Sequence, residues 1–129
     1  MKKRKGRKRK RMFLIDALTT FLESLEAAGR SDQTISVYES RLKAFINFMG
    51  EDVKIGQIEP EDLDAYIVKR RRQRTKKRGS LIVQGKLSEA TIAGMVQDLR
   101  RFFRWAERRG MVSSSPAAHL VKPSYDPRQ

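Results

Sequence analysis

The sequence predicts an all-α fold: a compact four-helix bundle with a short C-terminal helix and a disordered basic arm ahead of it. Three observations predict it. Apolar residues recur at steps of three and four in four separate segments, the period of a helix face. Cap and stop residues bracket those segments, with Ser31, Pro60 and Ser88 at starts and Gly29, Gly50 and Gly110 at ends. The run after Met1, KKRKGRKRKR, repels itself and holds nothing apolar to bury, so residues 1–12 read as an arm outside the fold.

Helix 1 is expected from about Phe13 to Ala28, with Leu14, Leu18, Phe21, Leu22 and Leu25 facing inward and Gly29 as its left-handed stop. Ser31 caps helix 2, which runs to Met49 with Ile35, Tyr38, Leu42, Phe45, Ile46 and Met49 on its core face. Helix 3 starts at Pro60, where Ile58 and Leu63 have the spacing of a hydrophobic staple. Glu59, Glu61, Asp62 and Asp64 cluster at its start and Lys69 to Arg72 near its end, each sign where the helix dipole favours it. Leu63, Tyr66 and Ile67 face inward. Gly79 opens a loop to Leu87, in which Leu81, Ile82 and Val83 either pack on the core or form a brief extended segment. Helix 4 spans Ser88 to Gly110, and a last short helix runs from Pro116 to about Val121.

Helix 4 carries the strongest functional signal. Ile92, Val96, Leu99, Phe103 and Ala106, widened by Met95 and Phe102, form one apolar stripe. On the opposite side Gly94, Gln97, Arg101, Arg104 and Arg108 fall in line, a row of guanidinium groups suited to an anionic surface.

The net charge is +14 and unevenly placed. Residues 2–11 hold nine of the 29 lysines and arginines and residues 69–78 another eight, whereas residues 12–68 carry four bases against eleven acids. Such polarity implies a positive field concentrated near the end of helix 3 and along helix 4. Nucleic acid is the expected partner, and anionic lipid or an acidic protein the lesser alternatives. A duplex is favoured over a single strand, because exposed aromatic stacking platforms are missing and Trp105 reads as core edge.

Other chemistries are poorly supplied. With no cysteine and one histidine, His119, there is no thiolate site and no His-rich metal site. The acids at the start of helix 3 are explained by its dipole, Tyr38 and Tyr66 read as core, and Tyr125 has no activating partner. No phosphate-cradling glycine motif or zinc spacing occurs, so no catalytic residue, metal or cofactor is expected. No apolar run approaches the roughly 20 residues that span a bilayer, and no signal-peptide pattern is visible. A cytoplasmic protein without a membrane partner is the expectation. An internal echo, Ser31-Asp32-x-Thr34-Ile35 and Ser88-Glu89-x-Thr91-Ile92, reads either as two ordinary caps or as two polar helix starts aimed at phosphates.

An ordered string of residues resembles the N-terminal core-binding, SAM-like domain of the tyrosine recombinases, the phage integrase family. It comprises Phe21-Leu22, Ala27-Ala28-Gly29, Thr34, Tyr38, Leu42, Phe45, Phe48, Ile58, Asp62-Leu63, Tyr66-Ile67, Ser88, Thr91-Ile92, Leu99-Arg100, Phe102-Phe103, Trp105-Ala106, Gly110 and Pro116-Ala117. The match covers residues 13–123 and departs from the pattern at Ser115 and in the longer, more basic stretch 69–87. The resemblance implies two helical hairpins that grip one face of a duplex, with helices 2 and 4 facing the major groove. It implies groove-facing Gln33, Thr34, Val37 and Arg41 on helix 2 and Thr91, Gly94, Gln97 and Arg101 on helix 4. Lys86 and Arg104 would reach phosphates at the margins. Arg70, Arg71, Arg74, Lys76, Lys77 and Arg78 in the basic run are further phosphate contacts expected from their charge. The family's cutting and rejoining residues lie in a separate domain that would begin past Pro123, with residues 124–129 as the start of its linker. The expected partners are therefore double-stranded DNA and that catalytic domain, with this domain monomeric alone and the whole recombinase oligomeric on DNA. A stand-alone accessory or inhibitory DNA-binding protein and a general basic RNA-binding protein are the alternatives.

Overall fold

The computed structural model describes residues 12–72 and 89–121, and the backbone of 75–78 and 81–84. Four helices dominate it: α1 (Leu14–Ala27), α2 (Asp32–Met49), α3 (Pro60–Arg72) and α4 (Glu89–Arg108). A 3₁₀ turn, Ile55–Gln57, precedes α3, and strands β1 (Thr75–Arg78) and β2 (Leu81–Gln84) lie between α3 and α4. The basic run 2–11 and the tail 122–129 fall outside the described residues.

The helix ends follow from local chemistry. α1 has no side-chain cap; its Leu14 N–H donates to Val53 O at 2.9 Å, and Ile55 N–H donates to Met12 O at 2.9 Å. Chain entry is thereby fixed to the segment that leads into α3. α1 ends with Gly29 at φ +80°, where Arg30 N–H reaches Leu25 O and Gly29 N–H reaches Glu26 O. α4 ends in the same way at Gly110, φ +75°, with Met111 N–H on Ala106 O and Gly110 N–H on Glu107 O. Both are paired-bond terminations that need a left-handed residue. Ser31 Oγ accepts from Thr34 N–H at 3.1 Å and caps α2 as expected. At α3 the Asp62 carboxylate reaches back to Glu59 N–H at 2.8 Å, the reciprocal half of a capping box. Ser88, the expected cap of α4, lies outside the described residues.

One open alternative is decided and one expectation changes. The segment after helix 3 takes its extended alternative: β1 and β2 pair antiparallel with Thr75 opposite Gln84 and Arg78 opposite Leu81. Part of the basic run is therefore strand rather than helix end, in keeping with the β-favouring Leu81-Ile82-Val83 and the Gly79-Ser80 pair between the strands. The expected helix from Pro116 to Val121 is instead a pair of turns, with Ala118 N–H on Ser115 O (3.3 Å) and Leu120 N–H on Ala117 O (3.0 Å). So few residues before Pro123 cannot repay the cost of a helix nucleus. Side-chain bonds hold these turns down: Ser115 Oγ accepts from Ala117 N–H, Glu107 from Ser115 N–H, and Asp64 pairs with His119 at 2.8 Å.

α4 packs against each of the other three helices. Ile92, Val96, Leu99, Phe102, Phe103 and Ala106 are buried on it, against Leu14, Leu18 and Phe21 of α1, Leu42 and Phe45 of α2, and Leu63 and Tyr66 of α3 in one cluster. Edge-on aromatic contacts tie the layers: Phe21 to Phe102 at 5.4 Å, Phe45 to Tyr66 at 5.2 Å and Phe45 to Phe103 at 6.2 Å. Phe103 is fully enclosed at this junction. Phe103→Ala is expected to cost about 3–5 kcal/mol in urea unfolding, whereas Arg108→Ala on the exposed side should change stability by less than about 0.5 kcal/mol.

Candidate nucleic-acid interface

Packing α4's apolar stripe inward leaves its polar stripe beside the outer edge of α2. Gln33, Thr34, Val37, Tyr38 and Arg41 of α2 face Gly94, Gln97, Asp98 and Arg101 of α4 across an open groove of about 400 Å³. Each set spans about two turns at helical spacing, so each helix contributes one continuous wall. Gln33, Val37, Arg41 and Arg101 are exposed; Thr34, Gly94 and Gln97 are half-buried.

The charged members of the groove are held in place. Arg41 Nη1 donates to Asp98 Oδ2 at 3.2 Å, and Arg101 Nη1 donates to the Tyr38 hydroxyl at 2.7 Å. Tyr38 in turn packs edge-on against Phe21 at 5.6 Å, so its ring is anchored in the core while its oxygen reaches the groove. Asp98 is buried, and burial raises its pKa above the usual carboxylate value against the opposing effects of Arg41 and Arg101.

Seven of the expected groove-facing residues thus come together: Gln33, Thr34, Val37, Arg41, Gly94, Gln97 and Arg101. Thr91 is exposed on the first turn of α4, outside the groove lining. Arg104 is exposed but lies past the groove, lining a hollow with Arg100, Glu107 and Ser115. Arg71 makes a two-pronged pair with Glu89 at 2.8 and 3.3 Å, a brace between the end of α3 and the start of α4. Arg70 is half-buried near the end of α3. Arg74 and Lys86 lie outside the described residues, and of Lys76, Lys77 and Arg78 only the strand backbone is described. Trp105 is half-buried against Phe21 (5.2 Å) and Phe102 (6.0 Å), at the core edge as expected.

Sequence reasoning missed two members of the groove. Tyr38 was assigned to the core, and its ring is there, but its hydroxyl is the partner of Arg101. Asp98 is absent from the expected site residues; its place one turn from Gly94 and Arg101, on their face, is the available signal.

The family model described as the phage integrase N-terminal SAM-like domain matches residues 18–110. The chain belongs to that family. A tyrosine recombinase XerC of Chromobacterium violaceum is 31% identical over 111 residues, covering 86% of this chain and 33% of the relative. A tyrosine recombinase XerA of Saccharolobus solfataricus is 26% identical over 90 residues, covering 70% of this chain and 30% of the relative. The chain spans about a third of the length of these curated relatives. No solved structure matches it at a significant level. Among the described residues of this integrase-family domain, no helix is long and apolar enough to cross a membrane, and no acid or histidine cluster could hold a metal ion.

Asp98 gives the domain a pH signature. Below the ordinary aspartate value both folded and unfolded chains hold its proton, so it has no effect there. As pH rises through the window between that value and the raised one, the folded state retains the proton longer, and stability falls. Compared with Asp98→Asn by urea unfolding between about pH 3 and about pH 7, the native chain should lose relative stability with rising pH. A relative gain would show that pairing with Arg41 outweighs burial.

Proposed function

We propose that this chain is the DNA-binding module of a tyrosine recombinase, which lays the α2–α4 groove against the major groove of a recombination half-site. Strand cutting and rejoining then belong to a separate catalytic domain of the same recombinase. The groove itself carries the reading. Its walls present amides at Gln33 and Gln97 and guanidinium forks at Arg41 and Arg101, which are the side chains that pair with adenine and guanine edges. Val37, an exposed apolar residue among them, suits a thymine methyl. The capped start of α2 at Ser31 brings backbone N–H groups to one end of this wall, where a phosphate fits. The basic stretches 2–11 and 69–78 add sequence-independent attraction. A cytoplasmic protein that associates with the nucleoid through DNA follows from this reading.

Selection from a random-sequence duplex pool, followed by affinity measurements on the selected site, tests it. The chain should prefer its selected duplex over a scrambled one and over RNA of the same length. Arg101→Ala should lose about 1–3 kcal/mol of that discrimination, concentrated at one base pair. Equal affinity for all duplexes, unchanged by Arg101→Ala, would overturn the assignment, and preference for RNA would favour a general RNA-binding role.

A further inference from the structure

Asp98 is the one charged side chain buried among the described residues, and the other charged members of its groove are both arginines. A carboxylate there is unfavourable twice. Burial penalises it even with two guanidinium groups beside it, so it is a poor contributor to stability. It also puts negative charge where a polyanion would approach.

What it accomplishes is geometric. Its Oδ2 holds Arg41 Nη1 at 3.2 Å across 57 residues of sequence. Gly94, one turn earlier on α4, makes room for that guanidinium: a Cβ there would lie 3.6 Å from Nη1 and 4.0 Å from Cζ. An alanine would just touch it, and anything longer would stand in its place. The Arg41 side chain remains 52% exposed while that of Asp98 is 9% exposed. One donor therefore points inward, and the other guanidinium donors remain for the groove.

We propose that Asp98 is a positioning residue for base recognition, which fixes Arg41 as a planar fork for the O6 and N7 edge of one guanine. The proposal rests on the reading of the groove as a duplex-binding surface. A free arginine on a flexible stem follows the strongest local field, which on a duplex is a phosphate. An anchored one presents its fork at a set place, as bidentate pairing with guanine requires. The carboxylate also lowers the local positive charge, so close approach is rewarded only where the base edge fits. Asp98 gives up affinity for selectivity.

The test compares the wild-type chain, Asp98→Asn, Arg41→Lys, Arg41→Ala and the Asp98→Asn/Arg41→Ala double variant. Each is measured on a random duplex pool and on the duplex that the wild type selects, over a salt series. Asp98→Asn should remain folded by circular dichroism and bind random duplex about two- to fivefold more tightly, with a salt slope steeper by about one phosphate contact. It should lose about tenfold in discrimination at a single base pair. Arg41→Lys keeps the charge without the fork and should lose the same preference. With Arg41→Ala in place, Asp98→Asn should leave the base preference unchanged. The proposal is overturned if the preference survives Asp98→Asn or Arg41→Lys, or if Asp98→Asn alters it equally without Arg41. It is overturned too if Asp98→Asn does not fold, because Asp98 would then be structural. A wild-type chain with no preference among duplexes removes the underlying duplex reading as well.

Discussion

Eight apolar residues of α4 are buried in the middle of the bundle, and the other three helices are laid against them. That burial sets the rotation of α4 about its own axis. Ile92, Val96, Leu99 and Phe103 cannot leave the core without exposing several large side chains, each worth about 1.5–3 kcal/mol in burial. With the helix thus fixed in rotation, Gly94, Gln97 and Arg101 have one place to go, the edge facing α2. The composition of the groove is a consequence of core packing, and Phe102 and Phe103 act on the site without touching it.

α2 shows the same logic with opposite charges on its two edges. The side toward α4 carries Gln33, Thr34, Val37 and Arg41. The side toward α1 carries Asp32 and Glu39, which share a second groove with Glu23 and Glu26. Under the proposed function this division orients the body on a polyanion, since one edge is attracted and the other repelled. Arg71 and Glu89 brace the junction between α3 and α4.

Much of this was legible in the sequence because it rests on local rules. The stops at Gly29, Gly50 and Gly110 and the cap at Ser31 act within one helical turn, and the helices end where those residues stand. The α4 wall of the groove was legible too, because a helical stripe of 3.6-residue period is written in residue spacing, whereas the α2 wall was expected only from the family resemblance. What the sequence left open or missed has a different cause. Leu81-Ile82-Val83 is too short for periodicity to separate strand from packed loop, and Pro116-Ala117-Ala118 has helical composition without the length to nucleate. Asp98 and Tyr38 find their partners 57 and 63 residues away on another helix. Arg71 is taken up by Glu89 in the same way, and no spacing rule reaches across such gaps.

The central claim is that the edge between α2 and α4, set by the core, is the face that meets a duplex. Backbone amide shifts of the isotope-labelled chain, followed by NMR as a selected duplex is added, test it most directly. The account predicts shifts concentrated at residues 33–41 and 91–101, with Thr19, Glu23 and Glu26 of the acidic groove unaffected. Shifts confined to the basic stretches 2–11 and 73–88, with the groove amides unmoved, would contradict it.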